Sequence, residues 1–348
     1  MRIAYLVPTS DFSGAENMTL LIAKELSARH DVWYCSPEGA ICDYTKKSSI
    51  PHLPVPNMSA KTVKYIQKTI APDLFHACDN RASLACALAG VPYVSHLHSN
   101  PLWLKKLNAY SCAMLFSCLR SKQTIGVSDS VFDEFLFSRF IRHKCVTLLN
   151  VVDLSHVSAL AQEDSGDETY DLSYIGRMSQ EKNPMAFVHV VAKIAEQFPR
   201  ISAVMIGGGD MLPDVQSLAR QKGLGDNITF TGFLHNPYSV LQKSRVVIMP
   251  STYEGFGLTA IEAMCLGKPV LASPVGGLKR IVDSSCGEIC NNETEFAELA
   301  MKLLANDEIY SKKSQGAKSR AQEFGDVAKY AAEIEKIYSV NSVNFVKG

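Results

Sequence analysis

Glu254 and Glu262, with seven residues between them, are the sharpest chemical feature of the sequence. They stand in Pro250-Ser-Thr-Tyr-Glu254-Gly-Phe-Gly257-Leu258-Thr259-Ala-Ile-Glu262-Ala-Met-Cys-Leu-Gly267-Lys-Pro269, directly after the apolar run Val246–Met249. Gly255 and Gly257 bracket a tight loop. Leu258 and Thr259 open a helix, Gly267 is suited to end it, and Pro269 lies just beyond. A glycine-flanked helix start offers backbone N–H groups and a partial positive charge, so it suits a phosphate. One carboxylate in the loop and one about a turn into the helix reach different parts of a single ligand. Sugar hydroxyls and ribose hydroxyls are the donors such a pair accepts from. The plainer alternative is an acidic loop followed by a solvated glutamate. The glycines, the helix start and the preceding strand weigh against it.

Cations stand at a second strand end. Gly176-Arg177 and then Glu181-Lys182-Asn183-Pro184 follow Leu172–Ile175. Arg177 is a planar fork for phosphate oxygens and Lys182 a compact point charge. A departing nucleoside diphosphate gains negative charge as its glycosidic bond breaks, and fixed cations and helix N–H groups stabilise that charge. Two solvated surface cations are the alternative. Gly207-Gly-Gly-Asp210 also follows a strand, but Leu212 holds the third glycine position of a dinucleotide fingerprint. It reads as a turn with a close backbone approach, which disfavours an NAD-dependent oxidoreductase. His96 and His98, two apart at the end of Tyr93–Leu97, are expected on opposite faces, one toward a cleft and one toward the core.

Alternating short apolar runs and helical patterns must position these groups. Strands are expected at Ile3–Pro8, Asp31–Cys35, Leu74–Ala77, Tyr93–Leu97, Thr124–Val127 and Cys145–Leu149. The polar stretch 156–170 reads as a linker. Strands then resume at Leu172–Ile175, Ser202–Ile206, Ile228–Phe230, Val246–Met249, Val270–Ala272 and Gly287–Ile289, with helices such as Pro184–Gln197, Met211–Lys222, Thr259–Leu266 and Glu293–Ala305 between them. Runs apolar on both faces belong to parallel sheets covered on both sides. The fold class is therefore α/β, with two doubly wound units over residues 1–155 and 171–325, and ligands beyond the carboxyl ends of the strands. Two such units facing each other would share a cleft. Residues 326–348 hold one more helix, expected to cross back onto the first unit.

Bulk properties exclude some classes. Lysine plus arginine and aspartate plus glutamate number 35 each, so a basic surface of the kind that binds nucleic acid is not expected. Ten cysteines form no CxxC pair and no zinc spacing, and read as reduced thiols. Met1–Pro8 reads as a strand and not as a secretory leader, and no apolar run reaches the roughly 18 residues of a membrane span. A cytoplasmic location is expected, with peripheral contact at the inner face of the membrane. That contact rests on Leu102–Leu107, Leu115–Lys122 and Phe132–Lys144, where Lys105, Lys106, Arg120, Arg139, Arg142 and Lys144 mix with Phe, Trp and Leu. Ordinary helices burying one face are the alternative.

The spacing Glu254-x7-Glu262, followed by Ala263-Met-x-x-Gly267-x-Pro269-Val270, resembles the signature of the retaining GT-B glycosyltransferases of family 4. Gly176-Arg177 with Glu181–Pro184 resembles that family's donor-diphosphate motif, and Ile228-Thr-Phe-Thr-Gly232-Phe233 resembles its segment beside the nucleotide base. Ser13-Gly14-Ala15-Glu16, Tyr93-Val-Ser-His96-Leu-His98-Ser, Gly126-Val-Ser128 and Asn150-Val-Val-Asp153 resemble first-domain segments more thinly; the usual double glycine here reads Ser-Gly, and the usual Asn-Gly-Val-Asp reads Asn-Val-Val-Asp. The resemblance implies transfer of a sugar from a nucleoside-diphosphate sugar, UDP by default, to a hydroxyl of a carbohydrate or lipid-linked acceptor, with retention and with no metal or other cofactor. It implies catalytic roles for Glu254, at the donor sugar, and for His98. It places Arg177, Lys182, Gly14, Gly257, Leu258 and Thr259 at the diphosphate, Glu262 at the ribose, and Gly232 and Phe233 at the base. A nucleotide-sugar epimerase of the same architecture and a non-catalytic sugar-nucleotide binding protein are the competing readings.

Overall fold

The strands form because each expected run is short, apolar and rich in Val, Ile, Tyr and Ala. In the computed structural model, which describes residues 1–10, 13–99, 101–163 and 166–342, they assemble into two separate sheets. The chain divides into two compact units. Unit 1 holds Met1–Val151 and the segment from Asp326 onward, and unit 2 holds Val152–Gly325.

The sheet of unit 1 contains β1 (Arg2–Leu6), β2 (Asp31–Ser36), β3 (His52–Pro54), β4 (Leu74–Cys78), β5 (Tyr93–Leu97), β6 (Thr124–Gly126) and β7 (Cys145–Thr147), in the order β3-β2-β1-β4-β5-β6-β7. All its pairings are parallel, with Ile3 opposite Val32 on one side and Leu74 on the other. Strand alternation splits β1 between two cores. Ile3, Tyr5 and Val7 pack with Met18, Ile22 and Leu26 of helix Gly14–Ser27, whereas Ala4 and Leu6 pack with Val63, Ile66, Ala82 and Cys86 on the opposite face. Each fully buried Ile, Leu or Phe side chain contributes about 1.5–3 kcal/mol.

Unit 2 repeats the plan with β8 (Tyr170–Ile175), β9 (Ala203–Ile206), β10 (Ile228–Gly232), β11 (Ser244–Met249), β12 (Val270–Ala272) and β13 (Gly287–Ile289), ordered β10-β9-β8-β11-β12-β13 and also parallel. Phe187, Val190 and Ile194 of helix Pro184–Ala195 and Phe296, Ala300 and Leu303 of helix Glu293–Ala305 cover one face. In both sheets the strand order reverses beside the first strand: between β1 and β4 in unit 1, and between β8 and β11 in unit 2. The loops leaving those carboxyl ends diverge and open a crevice.

Besides shifts of a few residues at element ends, the structure departs from expectation in an edge strand and in helices. β3 was not foreseen; it is a three-residue edge strand carrying a proline, too short for alternation to show. The stretch 156–170 is not a plain linker, because helix Leu154–Leu160 occupies its start, with Asp153 accepting from the His156 N–H as its cap. Its residues 164 and 165 lie outside the described residues. Helix Asp307–Gln322 was also not foreseen; its polar composition gives little amphipathic signal, and it buries mainly Ala317 and Ala321.

The last helix, Val327–Ser342, returns to unit 1. Tyr330, Ala331, Ile334 and Tyr338 enter the same core as Tyr5 and Ile22. Tyr338 is tied there by polar contacts as well, its hydroxyl lying 2.8 Å from the Tyr5 hydroxyl and 2.6 Å from His76 Nδ1. Residues 343–348 lie outside the described residues.

Candidate active site

In unit 2 the crevice between β8 and β11 gathers most of the chemistry read from the sequence. The loop after β8 carries exposed Arg177 and partly buried Lys182; the loop after β11 carries Glu254. The two loops are stitched together by one backbone bond and one side-chain bond. Thr252 N–H donates to the Glu181 carbonyl at 2.9 Å, and Asn183 Nδ2 donates to the Pro250 carbonyl at 3.2 Å. Lys182 Nζ forms a short ion pair with Glu254 Oε2. Tyr174, buried on β8, donates to the Arg177 carbonyl at 2.9 Å and fixes that turn.

Helix Leu258–Cys265 opens at Gly257, with partly buried Leu258 and Thr259 as its first residues. Their N–H groups have no partner within the helix, as at any helix start. Glu262, one turn on, accepts from the Tyr238 hydroxyl at 3.0 Å. Burial raises the Glu262 carboxyl to about 7, against the lowering effects of the Tyr238 bond and the Lys182 charge. Near neutral pH, protonation therefore divides its population. A carboxylate there gains from any ligand that offers it hydroxyl donors.

Gly207 lies where a Cβ would sit 2.1 Å from the Gly176 carbonyl oxygen, so the glycine run is a close approach of the β9 loop to the β8 loop. Gly207 N–H donates to the Gly232 carbonyl at 2.9 Å, which brings Gly232 and its neighbour Phe233 to the same edge. Phe233 is 64% exposed, an aromatic face open to stacking. The sequence reading missed two participants. Tyr238 carried no signal beyond a helix start. Gly276 did carry one, in Pro274-Val-Gly-Gly after β12: its φ is +50°, and a Cβ would fall 1.6 Å from the Glu254 carbonyl oxygen, so this loop backs the Glu254 loop.

Gly14, expected among the diphosphate residues, belongs to unit 1, where it opens helix Gly14–Ser27 behind a capping box in which Ser13 and Glu16 satisfy each other. One expectation needs correction. His96 and His98 are not on opposite faces. Their ring centroids lie 4.1 Å apart with the planes tilted by 33°, because a strand repeats every two residues and positions i and i+2 share a face. His96 Nδ1 lies 3.0 Å from His76 Nε2, inside the core, whereas His98 is buried with no hydrogen-bond partner on either ring nitrogen. Burial lowers His98 to about 4, so its ring is neutral.

His98 lines a cavity of ≈ 420 Å³ within unit 1, at the carboxyl ends of β1, β4 and β5. Glu16, Asp79, Trp103 and Tyr110 line it too. Among the described residues, no cluster of His, Cys, Asp and Glu is arranged to hold a metal ion. All ten cysteines are free thiols.

Comparison with known proteins decides the family. A model of "Glycosyltransferase Family 4" matches residues 12–156, and one of "Glycosyl transferases group 1" matches residues 159–320. The chain belongs to the family 4 glycosyltransferases. An N-acetyl-D-galactosaminyltransferase of Campylobacter jejuni that acts on an undecaprenol-diphosphate-linked glycan is 24% identical, over 93% of this chain and 94% of that protein. The 2-deoxystreptamine glucosyltransferase of Streptomyces kanamyceticus is 32% identical over 44% of this chain. That match and the one to the kanosaminyltransferase of the same organism span only 41% and 39% of those proteins' lengths. Among solved structures, HepE of Anabaena in complex with UDP-glucose superposes with a TM-score of 0.86 at 20% identity, covering 98% of this chain and 100% of that one. The shared architecture is GT-B, two parallel-sheet Rossmann-like domains.

Proposed function

We propose that this chain transfers a sugar from a nucleoside-diphosphate sugar to an acceptor hydroxyl, with retention of anomeric configuration and with protein groups in place of a metal. The observation that carries the reading is the convergence of Lys182, Glu254, Glu262 and the start of helix Leu258–Cys265 at the strand-order reversal of unit 2. A diphosphate seated on the Leu258 and Thr259 N–H groups meets the positive end of the helix. Lys182 and Arg177 add charge where the leaving group becomes more negative. Glu262 takes the ribose hydroxyls, Glu254 the hydroxyls of the transferred sugar, and Phe233 the face of the base. Retention follows from attack on the side the diphosphate leaves. The acceptor oxygen bonds to the anomeric carbon as the bond to phosphate oxygen breaks, and the acceptor proton passes to that oxygen.

UDP is the proposed nucleotide, supported by the UDP-glucose complex of HepE, and a lipid-linked glycan the proposed acceptor, supported by the substrate named for the Campylobacter relative. The proposed place of work is the cytoplasmic face of the membrane. Incubation with UDP-, GDP- and ADP-sugars in excess chelator tests the whole. Release of nucleoside diphosphate with one of them is expected. Turnover abolished by chelator and restored by magnesium or manganese would refute the role given to Arg177 and Lys182. Formation of an isomeric sugar nucleotide would identify an epimerase, and binding without turnover a sensor.

A further inference from the structure

The core of unit 1 holds a row of polar side chains that packing alone does not call for. Tyr5, Tyr338, His76, His96, Tyr330 and Asn150 are all buried, and they touch in that order. The Tyr5 and Tyr338 hydroxyls lie 2.8 Å apart, the Tyr338 hydroxyl lies 2.6 Å from His76 Nδ1, and His76 Nε2 lies 3.0 Å from His96 Nδ1. Two longer links follow: the Tyr330 hydroxyl lies 3.5 Å from His96 Nε2 and donates to Asn150 Oδ1 at 3.4 Å. Burial keeps both rings neutral, lowering His76 to about 3 and His96 well below its ordinary value.

A neutral imidazole has one N–H and one lone pair, so the contacts fix one another. The Asn150 oxygen only accepts, so Tyr330 spends its proton there and accepts from His96 Nε2. His96 Nδ1 is then a lone pair, and His76 Nε2 donates to it. His76 Nδ1 accepts the Tyr338 proton in turn, and Tyr338 accepts from Tyr5. A single direction satisfies every group, with both histidines protonated on Nε2. His98 leans on this row. Its ring has no hydrogen-bond partner among the described residues, and it packs on the ring of His96. His76 is braced from the other side, stacked on Tyr5 with centroids 4.5 Å apart and planes at 23°. Tyr330 and Tyr338 both stand on helix Val327–Ser342, so the last helix supplies two of the links. Resting on the transferase reading, we infer that Tyr338, His76 and His96 are positioning residues for His98: a one-way row of hydrogen bonds from the last helix fixes the tautomer and plane of His96, and with them the plane that His98 presents to the cavity.

The first test needs no ligand. Two-bond 1H–15N correlation spectra of the full chain, with the histidines assigned by substitution, show which ring nitrogen carries the proton. Nε2–H on both His76 and His96 is expected near neutral pH, and Nδ1–H on either overturns the proposal. Two variants at position 76 then separate hydrogen bonding from packing. His76→Gln keeps an acceptor and a donor on one amide, whereas His76→Phe keeps a ring against Tyr5 and loses both nitrogens. His76→Phe should lower kcat about 10-fold or more through a misplaced His98, and His76→Gln should restore most of it. KM for the sugar nucleotide should stay unchanged in both, because the groups proposed to hold it lie in unit 2. Tyr338→Phe removes the proton given to His76, so it should lower kcat in the same way and shift the His98 ring resonances. A His76→Phe enzyme as active as His76→Gln, or a Tyr338→Phe enzyme with kcat and His98 resonances unchanged, would assign these side chains to packing and overturn the proposal. A wild-type chain that turns over no sugar nucleotide would refute the transferase reading instead, and the tautomers would still judge the row.

Discussion

The two units share a strand order and place their candidate ligand groups at the same point of it, yet they build those sites by different physics. Unit 2 works with loops: cations, carboxylates and a helix start stand partly exposed and are held by backbone bonds between adjacent loops. Unit 1 works by desolvation: the ring nitrogens of His98 are shut away from solvent, and burial lowers the His98 ring and raises the Asp79 carboxyl. A diphosphate carries charge to the site and is met by fixed charge. The comparison breaks if either unit can be stripped of its groups without loss.

The largest effect is expected from the double substitution Arg177→Ala with Lys182→Ala. Removing charge that acts on a leaving group should lower kcat about 100-fold or more. Stability should change little, because Arg177 is exposed and the Lys182–Glu254 pair is not deeply buried. Nucleoside-diphosphate release and a thermal melt check both parts; normal turnover would leave the two cations as surface charges.

Next comes Glu262. Glu262→Ala should weaken UDP about 10-fold or more, the scale for losing hydrogen bonds to a charged group. Calorimetry showing unchanged UDP affinity would remove this residue from the site. A pH series sharpens the point. The carboxyl titrates near 7 because burial raises it, and the ribose-accepting form is the carboxylate. UDP affinity should therefore rise as pH increases through that value. The Tyr238 hydroxyl lowers the carboxyl by donating to it, so Tyr238→Phe should move the midpoint upward. A midpoint that does not move would show that Tyr238 merely packs there.

Legibility differed between the units for the same reason. Tyr93–Leu97, Val270–Ala272, Gly287–Ile289 and helix Glu293–Ala305 follow the pattern residue for residue, since each is bounded by turn or capping residues. The unit 2 cluster was readable because a diphosphate imposes glycines, a helix start and cations within short stretches of chain. Tyr238 was not readable, as its partner lies 24 positions away. The cavity of unit 1 was hidden more deeply. Glu16, Asp79 and the His98–Trp103 stretch follow three different strands, β1, β4 and β5, and only the sheet order brings them together. His96 and His98 share one side of the sheet because the strand period of two puts positions i and i+2 on the same face, a relation the spacing itself carries.

The smallest expected effect concerns the surface of unit 1 beside that cavity. Leu107, Phe116, Leu119 and Phe140 are exposed there, 74%, 40%, 44% and 47% respectively, around helices Ala109–Arg120 and Ser138–Ile141. The expected basic face is partly spent within the protein. Lys105 pairs with Glu134 at 3.4 Å, Arg142 pairs with Asp133 at 2.9 Å, and Lys144 Nζ donates to the Leu119 and Ser121 carbonyls. Lys106, Arg120 and Arg139 remain exposed. At about 1 kcal/mol per cation near an anionic surface, these three supply on the order of 3 kcal/mol, too little for tight binding alone. Insertion of the exposed apolar side chains must add to it. Sedimentation with vesicles of anionic and of neutral lipid should show partial, salt-released binding to the anionic set only. Lys106→Glu with Arg120→Glu and Arg139→Glu should abolish it while leaving UDP affinity unchanged, because these residues belong to the other unit. Equal binding to both vesicle types would mean that charge does not direct this surface, and that the apolar side chains answer to packing alone.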